Sequence, residues 1–243
     1  MRTIRLLVAD LPTAGGRHPL PPGPAAHAAR VLRVTVGDPL VLFDGAGGEA
    51  EARVAAVRGS SVEVELAPRV AVDRESPLAL TLVQGISRGE RMDLVVQKAT
   101  ELGVCRIIPV LTERSVVKLD GAQAAKRLLH WQGIAAAACE QSGRTRLPAI
   151  DPVSTLSACL GRPGVAGERR FLLHPGSGAR LRDFPSLTSA TLLIGPEGGL
   201  SPVERDNALS AGFIGLSLGP RILRTETAAL AALAALQALD GDL

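Results

Sequence analysis

Residues 192–204 read LLIGPEGGLSPVE. Leu192 to Ile194 end what reads as a buried strand. A Gly-Pro turn, one carboxylate and a Gly-Gly pair follow, and then Ser201, Pro202 and Glu204 fall in the order of a capping box with proline at the first helical position. The stretch predicts a strand, a tight turn and a helix that starts at Pro202. Gly195, Gly198 and Gly199 permit positive φ and a close approach of backbone to a ligand. Three uses of such a turn are open. One is a plain strand-to-helix connection, which needs only one or two glycines. Another is a phosphate cradle, but the Gly-Lys-Ser/Thr of a P-loop and the GxGxxG order are both missing, and Glu197 would repel a phosphate. The third is a loop whose backbone binds a neutral or cationic small molecule, which Glu197 favours.

A second turn supports the third use. Residues 218–230, LGPRILRTETAAL, repeat the layout: strand end, Gly219-Pro220, then Arg224, Thr225, Glu226 and Thr227 crowded into a helix start. Backbone donors are free there and the helix dipole favours anions. Taken alone, Glu226 in a first turn is ordinary dipole-friendly surface. The helix that follows is apolar nearly all round, interrupted after Thr227 only by Gln237. Such a helix is buried on most sides, either within its own chain or under a second subunit, and the second subunit is the expectation.

Outward from these turns the chain has two rhythms. Up to Leu66, short alternating segments lie between Gly, Pro and Asp turns: Thr3 to Val8, Leu40 to Phe43, Glu51 to Val57 and Val62 to Leu66. Val62, Val64 and Leu66 share one face, and the stretch from Ala25 to Leu32 reads as a brief helix. This is a small β barrel or sandwich over residues 1–70, with Pro68 to Pro77 as a linker. Residues 71–243 alternate strand and helix instead. A helix from Arg88 to Leu102 has the apolar face Met92, Val95, Val96, Ala99 and Leu102, and a long helix runs from Gly121 to Gln141. The alternation predicts an α/β domain with a mostly parallel sheet, whose ligand sits outside the carboxyl ends of the strands.

Composition narrows the classes. Hydrophobic residues make up 46% of 243, enough for a core. Of the 27 basic residues only Lys98, Lys118 and Lys126 are lysine. Arginine suits bidentate phosphate contact, although GC-rich coding gives the same excess. Four Phe, one Trp and no Tyr leave few platforms for stacking bases. Cys105, Cys139 and Cys159 have no CxxC spacing and the four histidines are scattered, so neither a disulfide framework nor a metal site is expected. The N-terminus does not read as a signal peptide. The longest apolar run, Ala228 to Leu236, is too short to cross a membrane. A cytoplasmic protein without membrane or metal partners is the expectation.

LLIGPEGGLSPVE followed by LGPRILRTETAALAALAALQ resembles the RsmE family of small-subunit ribosomal RNA methyltransferases, within the SPOUT (α/β-knot) superfamily. SRGERMDLVVQKATELGV, LTERSVVKL, WQGIAAAACEQSGRTRLP and HAARVLRVTVGDPLVLFDGAG extend the similarity over nearly the whole chain. The resemblance implies a trefoil-knot methyltransferase domain behind a PUA-like RNA-binding barrel. It implies a homodimer that uses S-adenosylmethionine to methylate uridine N3 in 16S rRNA or the small ribosomal subunit. The cofactor is then expected against Leu173 and His174; against Ile194, Gly195, Pro196, Glu197, Gly198 and Gly199; and against Leu218, Gly219, Leu223, Arg224, Thr225 and Thr227. Glu197, Glu226 and Arg224 are the candidates for a base or an anion-stabilising cation. Arg30, Arg33, Arg88, Arg91, Lys98, Arg114, Arg144 and Arg146 are the candidates for RNA contact. A SPOUT enzyme for another nucleotide and a non-catalytic RNA-binding paralogue are the alternatives. The chain departs from the family pattern at Ala28, where a second histidine often stands.

Overall fold

The computed structural model describes residues 3–184 and 186–243. They form two compact units, the first running up to Glu75 and including Ala136–Leu147, the second comprising Ser76–Ala135 and Pro148–Leu243.

In the first unit the elements are β1 (Ile4–Leu7), β2 (Gly16–Pro19), α1 (Pro22–Ala26), a π-helical turn (His27–Leu32), β3 (Pro39–Phe43), β4 (Gly48–Arg58), β5 (Ser61–Leu66) and β6 (Val70–Ala71). The sheet order is β1-β3-β4-β5-β2, with β6 paired to β4; β1 and β3 run parallel and the other pairings among the described residues are antiparallel. Val62, Val64 and Leu66 all face the core with Leu6, Leu40, Leu42 and Val54, as period-two alternation requires. The brief helix forms, but its second half widens to π geometry and ends at Arg33, a non-glycine residue at φ 54. Ala28, within this turn, is fully buried.

Residues 136–147 join this unit although strand–helix rhythm placed them in the C-terminal domain. Glu140 Oε1 accepts the Leu7 N–H at 3.0 Å, Leu147 N donates to Gly45 O at 3.0 Å, and Thr145 Oγ1 donates to Val72 O at 2.7 Å. Arg144 is 5% exposed and its guanidinium pairs with the Glu75 carboxylate.

The second unit continues with β7 (Ala79–Gly85), α2 (Glu90–Glu101), β8 (Arg106–Leu111), α3 (Gly121–Ser142, its last turns in the first unit), β9 (Ala149–Ile150), β10 (Ser154–Thr155) and α4 (Leu156–Leu160). It ends with β11 (Arg169–Leu173), β12 (Ser189–Ile194), α5 (Pro202–Ser210), β13 (Ile214–Leu216) and α6 (Thr225–Asp240). The sheet order is β10-β8-β7-β12-β11-β13, with β9 beside β8, and every pairing is parallel. Met92, Val95, Val96 and Ala99 bury the expected face of α2 against Leu80, Leu82, Ile107 and Trp131. Asp93 on its polar stripe accepts from Trp131 Nε1 at 3.2 Å. Gln237, the polar residue within the apolar stretch of α6, is buried: its Nε2 donates to Leu102 O at 2.7 Å and its Oε1 accepts from Ser76 Oγ at 2.6 Å.

Candidate active site

The carboxyl ends of the neighbouring strands β12, β11 and β13 open into one cavity of about 410 Å³. That volume suits a small cofactor, and its position is the one expected for open parallel sheets. Each wall is a strand-end turn followed, for β12 and β13, by a helix start.

The β12 wall is fixed by the capping box read from the sequence. Ser201 Oγ accepts the Glu204 N–H at 3.1 Å, and Glu204 Oε2 accepts the Ser201 N–H at 2.9 Å. Glu204 Oε1 also takes the Glu113 N–H at 2.8 Å, which ties the loop after β8 to the same cap. Between strand and cap, Gly199 N donates to Pro196 O at 2.8 Å and Gly199 stands at φ +66, where a side chain is strained. The turn lies against the end of β7 so closely that a Cβ on Gly85 would be 2.5 Å from Pro196 N.

The β13 wall is tied to the first by one hydroxyl. Thr225 Oγ1 donates to Gly195 O at 2.6 Å and accepts from Gln84 Nε2 at 3.0 Å. Gln84 is fully buried and also donates to Gly85 O at 3.0 Å. The ends of β7 and β12 and the start of α6 are thus held by a single polar chain.

Two carboxylates face this cavity. Glu197 Oε1 accepts the Arg88 N–H at 3.0 Å and Arg91 Nη1 at 2.7 Å. Burial alone would raise its pKa, but those donors and the Arg91 charge outweigh it and hold the carboxyl below the ordinary range. Glu226 Oε1 stands 4.0 Å from Arg91 Nε, and its Oε2 is buried with no hydrogen-bond partner among the described residues. An unmatched buried polar group costs about 1–3 kcal/mol, more when charged.

The structure brings together Leu173, His174, Ile194, Gly195, Pro196, Glu197, Gly199, Leu218, Gly219, Leu223, Arg224, Thr225 and Glu226 around the cavity. Two expected residues lie elsewhere. Gly198 turns towards Arg114, whose Nη1 donates to Gly198 O at 3.2 Å. Thr227 faces a second groove, lined also by Leu181, Leu218, Leu223, Ala231, Ala235 and Leu239. Among the arginines expected to meet RNA, Arg91 is in the cavity wall instead and Arg144 is buried on Glu75, out of reach of a phosphate. Lys98 pairs with Glu101 at 2.8 Å. Arg30, Arg33, Arg88, Arg114 and Arg146 are exposed. Sequence reasoning passed over Gln84, Arg205, Ser217, Arg221 and Ile222. Of these, Ile222, in the run Arg221-Ile222-Leu223-Arg224, is 84% exposed, which the sequence alone did not signal.

The RNA methyltransferase domain family matches residues 74–237, and the RNA methyltransferase PUA domain family matches residues 25–67. A Legionella pneumophila methyltransferase solved in complex with SAM superposes with a TM-score of 0.94 at 42% identity, covering all of both chains. Ribosomal RNA small subunit methyltransferase E from Neisseria gonorrhoeae, solved with S-adenosyl methionine, superposes at 0.92 with 38% identity, again over all of both chains. Among curated relatives, ribosomal RNA small subunit methyltransferase E of Buchnera aphidicola is 34% identical over 219 residues, 89% of this chain and 88% of the relative. The fold and the cavity at its strand ends define an α/β-knot (SPOUT) RNA methyltransferase with an N-terminal PUA-like unit. The chain belongs to the ribosomal RNA small subunit methyltransferase E family.

Proposed function

We propose that this protein methylates N3 of a uridine in the 16S rRNA of the small ribosomal subunit, in the cytoplasm and as a homodimer, with S-adenosylmethionine as methyl donor. The observation that carries the reading is a carboxylate, Glu197, kept ionised at the wall of a largely aliphatic pocket of about 410 Å³. The fit is chemical. Leu173, Ile194, Leu218 and Leu223 offer apolar surface for an adenine plane, and backbone groups at the three turns offer donors and acceptors to adenine and ribose. Glu197 attracts a sulfonium, and the pocket lacks the lysine of a phosphate cradle. Bound there, the cofactor supplies an electrophilic methyl group on a positively charged sulfur.

The residues of the chain do the rest. Arg224, at the cap of α6 and in the cavity wall, is the cation that in this reading stabilises negative charge on a uracil carbonyl oxygen. Uracil N3 lies in the pairing edge, so the base must be unpaired or splayed when it enters. Exposed Arg30, Arg33, Arg88, Arg114 and Arg146 supply phosphate contacts, which makes RNA affinity salt-dependent. The stripe Thr227, Ala231, Ala235 and Leu239 of α6, open to solvent in one chain, is the surface a second copy covers. Ala235→Arg should then yield a monomer by light scattering, and a dimer that persists would remove this interface.

Mass spectrometry of small-subunit rRNA from a strain lacking this protein should show one missing 3-methyluridine, restored by the intact gene. Loss of a different methylated nucleotide would reassign the substrate. Failure of S-adenosylmethionine to bind in calorimetry would remove the enzyme reading.

A further inference from the structure

The two carboxylates of the pocket stand in opposite circumstances. Glu197 Oε1 is committed to the Arg88 N–H and to Arg91, and these donors make it a poor proton acceptor. Glu226 is held by Arg91 on one side only, at 4.0 Å, and its side chain is 13% exposed. A glutamate that serves only a helix dipole leaves both oxygens to water. Here Oε2 is shut away from water, inside a pocket wall, with no partner among the described residues. Buried polar atoms are nearly always paired, so the exception needs a ligand group to match it.

Resting on the reading of uridine N3 methylation, we propose that Glu226 is the proton acceptor for the uracil N3–H and the residue that selects uracil at this site. The N3–H bond breaks and its proton passes to Glu226 Oε2. The pair left on N3 forms the new N–C bond as the S–C bond breaks and its electrons return to sulfur. Rotation of the carboxyl about its last bond then turns the proton to the side of the group that is still 13% exposed, and it leaves to solvent there. The same carboxylate rejects cytosine, whose N3 presents a lone pair where uracil presents a donor, so two acceptors would face each other. Arg91 and Arg224 line the pocket beside it and complement the uracil carbonyl oxygens that flank N3.

Glu226→Gln keeps the shape and removes the base. In single turnover at saturating cofactor it should slow methylation by about 100- to 10,000-fold. Part of that loss should return on RNA carrying 5-fluorouridine at the target, since fluorine acidifies N3–H. Calorimetry should give cofactor affinity within about threefold of wild type, as expected of a group that acts on the other substrate. A readout independent of turnover is RNA binding to cofactor-free protein. Wild type should prefer target uridine over 3-methyluridine by about tenfold, the scale of one charge-assisted hydrogen bond, and Glu226→Ala should erase the preference. A Glu226→Gln rate within threefold of wild type, a loss not relieved by fluorine, or a preference that survives Glu226→Ala overturns the proposal. If wild type makes no 3-methyluridine, the functional reading fails instead.

Discussion

Replacing Thr225 with valine removes one hydroxyl from the site and almost nothing else. Thr225 is 7% exposed and Gln84 fully buried, so water cannot take the hydroxyl's place. Gly195 O loses a donor at 2.6 Å, and Gln84 Nε2 loses one of two acceptors but keeps Gly85 O at 3.0 Å. The stranded Gly195 O costs about 1–3 kcal/mol and the lost Gln84 bond about 0.5–1.5 kcal/mol net, so the sum is about 1.5–4.5 kcal/mol. For a unit of this size that lowers Tm by roughly 3–18 °C. The larger consequence is for binding. The β12 and β13 walls lose their tie and must be ordered by the ligand, at about 0.5–1.5 kcal/mol, so S-adenosylmethionine affinity falls up to about tenfold. Calorimetry and a thermal melt on the same samples measure both effects. Thr227→Val is the control, because Thr227 faces the other groove, and its cofactor affinity should match wild type. If Thr225→Val matches wild type in both measurements, or if Thr227→Val loses affinity equally, the hydroxyl does not hold the two walls together.

The cap makes a graded prediction: Ser201→Ala should cost about 1 kcal/mol in urea denaturation. Glu204→Ala should cost more, since Glu204 also accepts from Ser201 N and Glu113 N, and the reverse order would contradict the cap geometry. Arg144→Ala should destabilise by about 3–5 kcal/mol, because Glu75 is left charged and mostly buried, and adding Glu75→Ala should recover part of the loss. Asp151 provides the acid test. Burial would raise its pKa, but Arg106 and Arg162 outweigh it and hold it below 3.8. A folded value below the unfolded one gives stability that is complete above the unfolded value and lost as pH falls through the folded value. Asp151→Asn should therefore flatten the fall in stability below about pH 4, and an unchanged acid limb would mean the cluster contributes nothing.

Local pattern carried much of this architecture. The capping box at Ser201, the apolar face of α2 and the shift from strand pairs to strand–helix alternation each depend on residues within a few positions of one another. Thr227, expected against the cofactor, is a position where helix geometry was not followed through. Residues two apart on a helix point about 200° away from each other, so Thr225 and Thr227 cannot both face one pocket. Other features depend on residues distant in sequence. Arg144 and Arg146 share one short basic run, and only Glu75, 69 positions away, distinguishes the buried one. Glu197 could be placed in the pocket from its turn, but its character is set by Arg88 and Arg91 more than 100 positions earlier. The crowding of Gly85 against Pro196 had no local signature, because a glycine in a strand end reads as a turn whichever segment passes it.

The arginine excess shows how such distant pairings redirect a compositional signal. Read as a count, it describes a protein built to meet phosphates. In the fold, Arg5 and Arg74 hold Glu49, Arg69 holds Asp44, Arg144 holds Glu75, Arg106 and Arg162 hold Asp151, and Arg170 holds Glu168. A guanidinium already neutralised by a carboxylate releases no counterion from RNA, so it adds little to binding. Arg91 is committed differently, bridging two carboxylates of opposite availability. Its charge helps hold Glu197 ionised, while it meets Glu226 only at 4.0 Å and leaves Glu226 Oε2 unmatched among the described residues. The same residue type therefore serves as structural clamp and pocket wall or stays exposed at the surface, and the number of carboxylates within reach decides which.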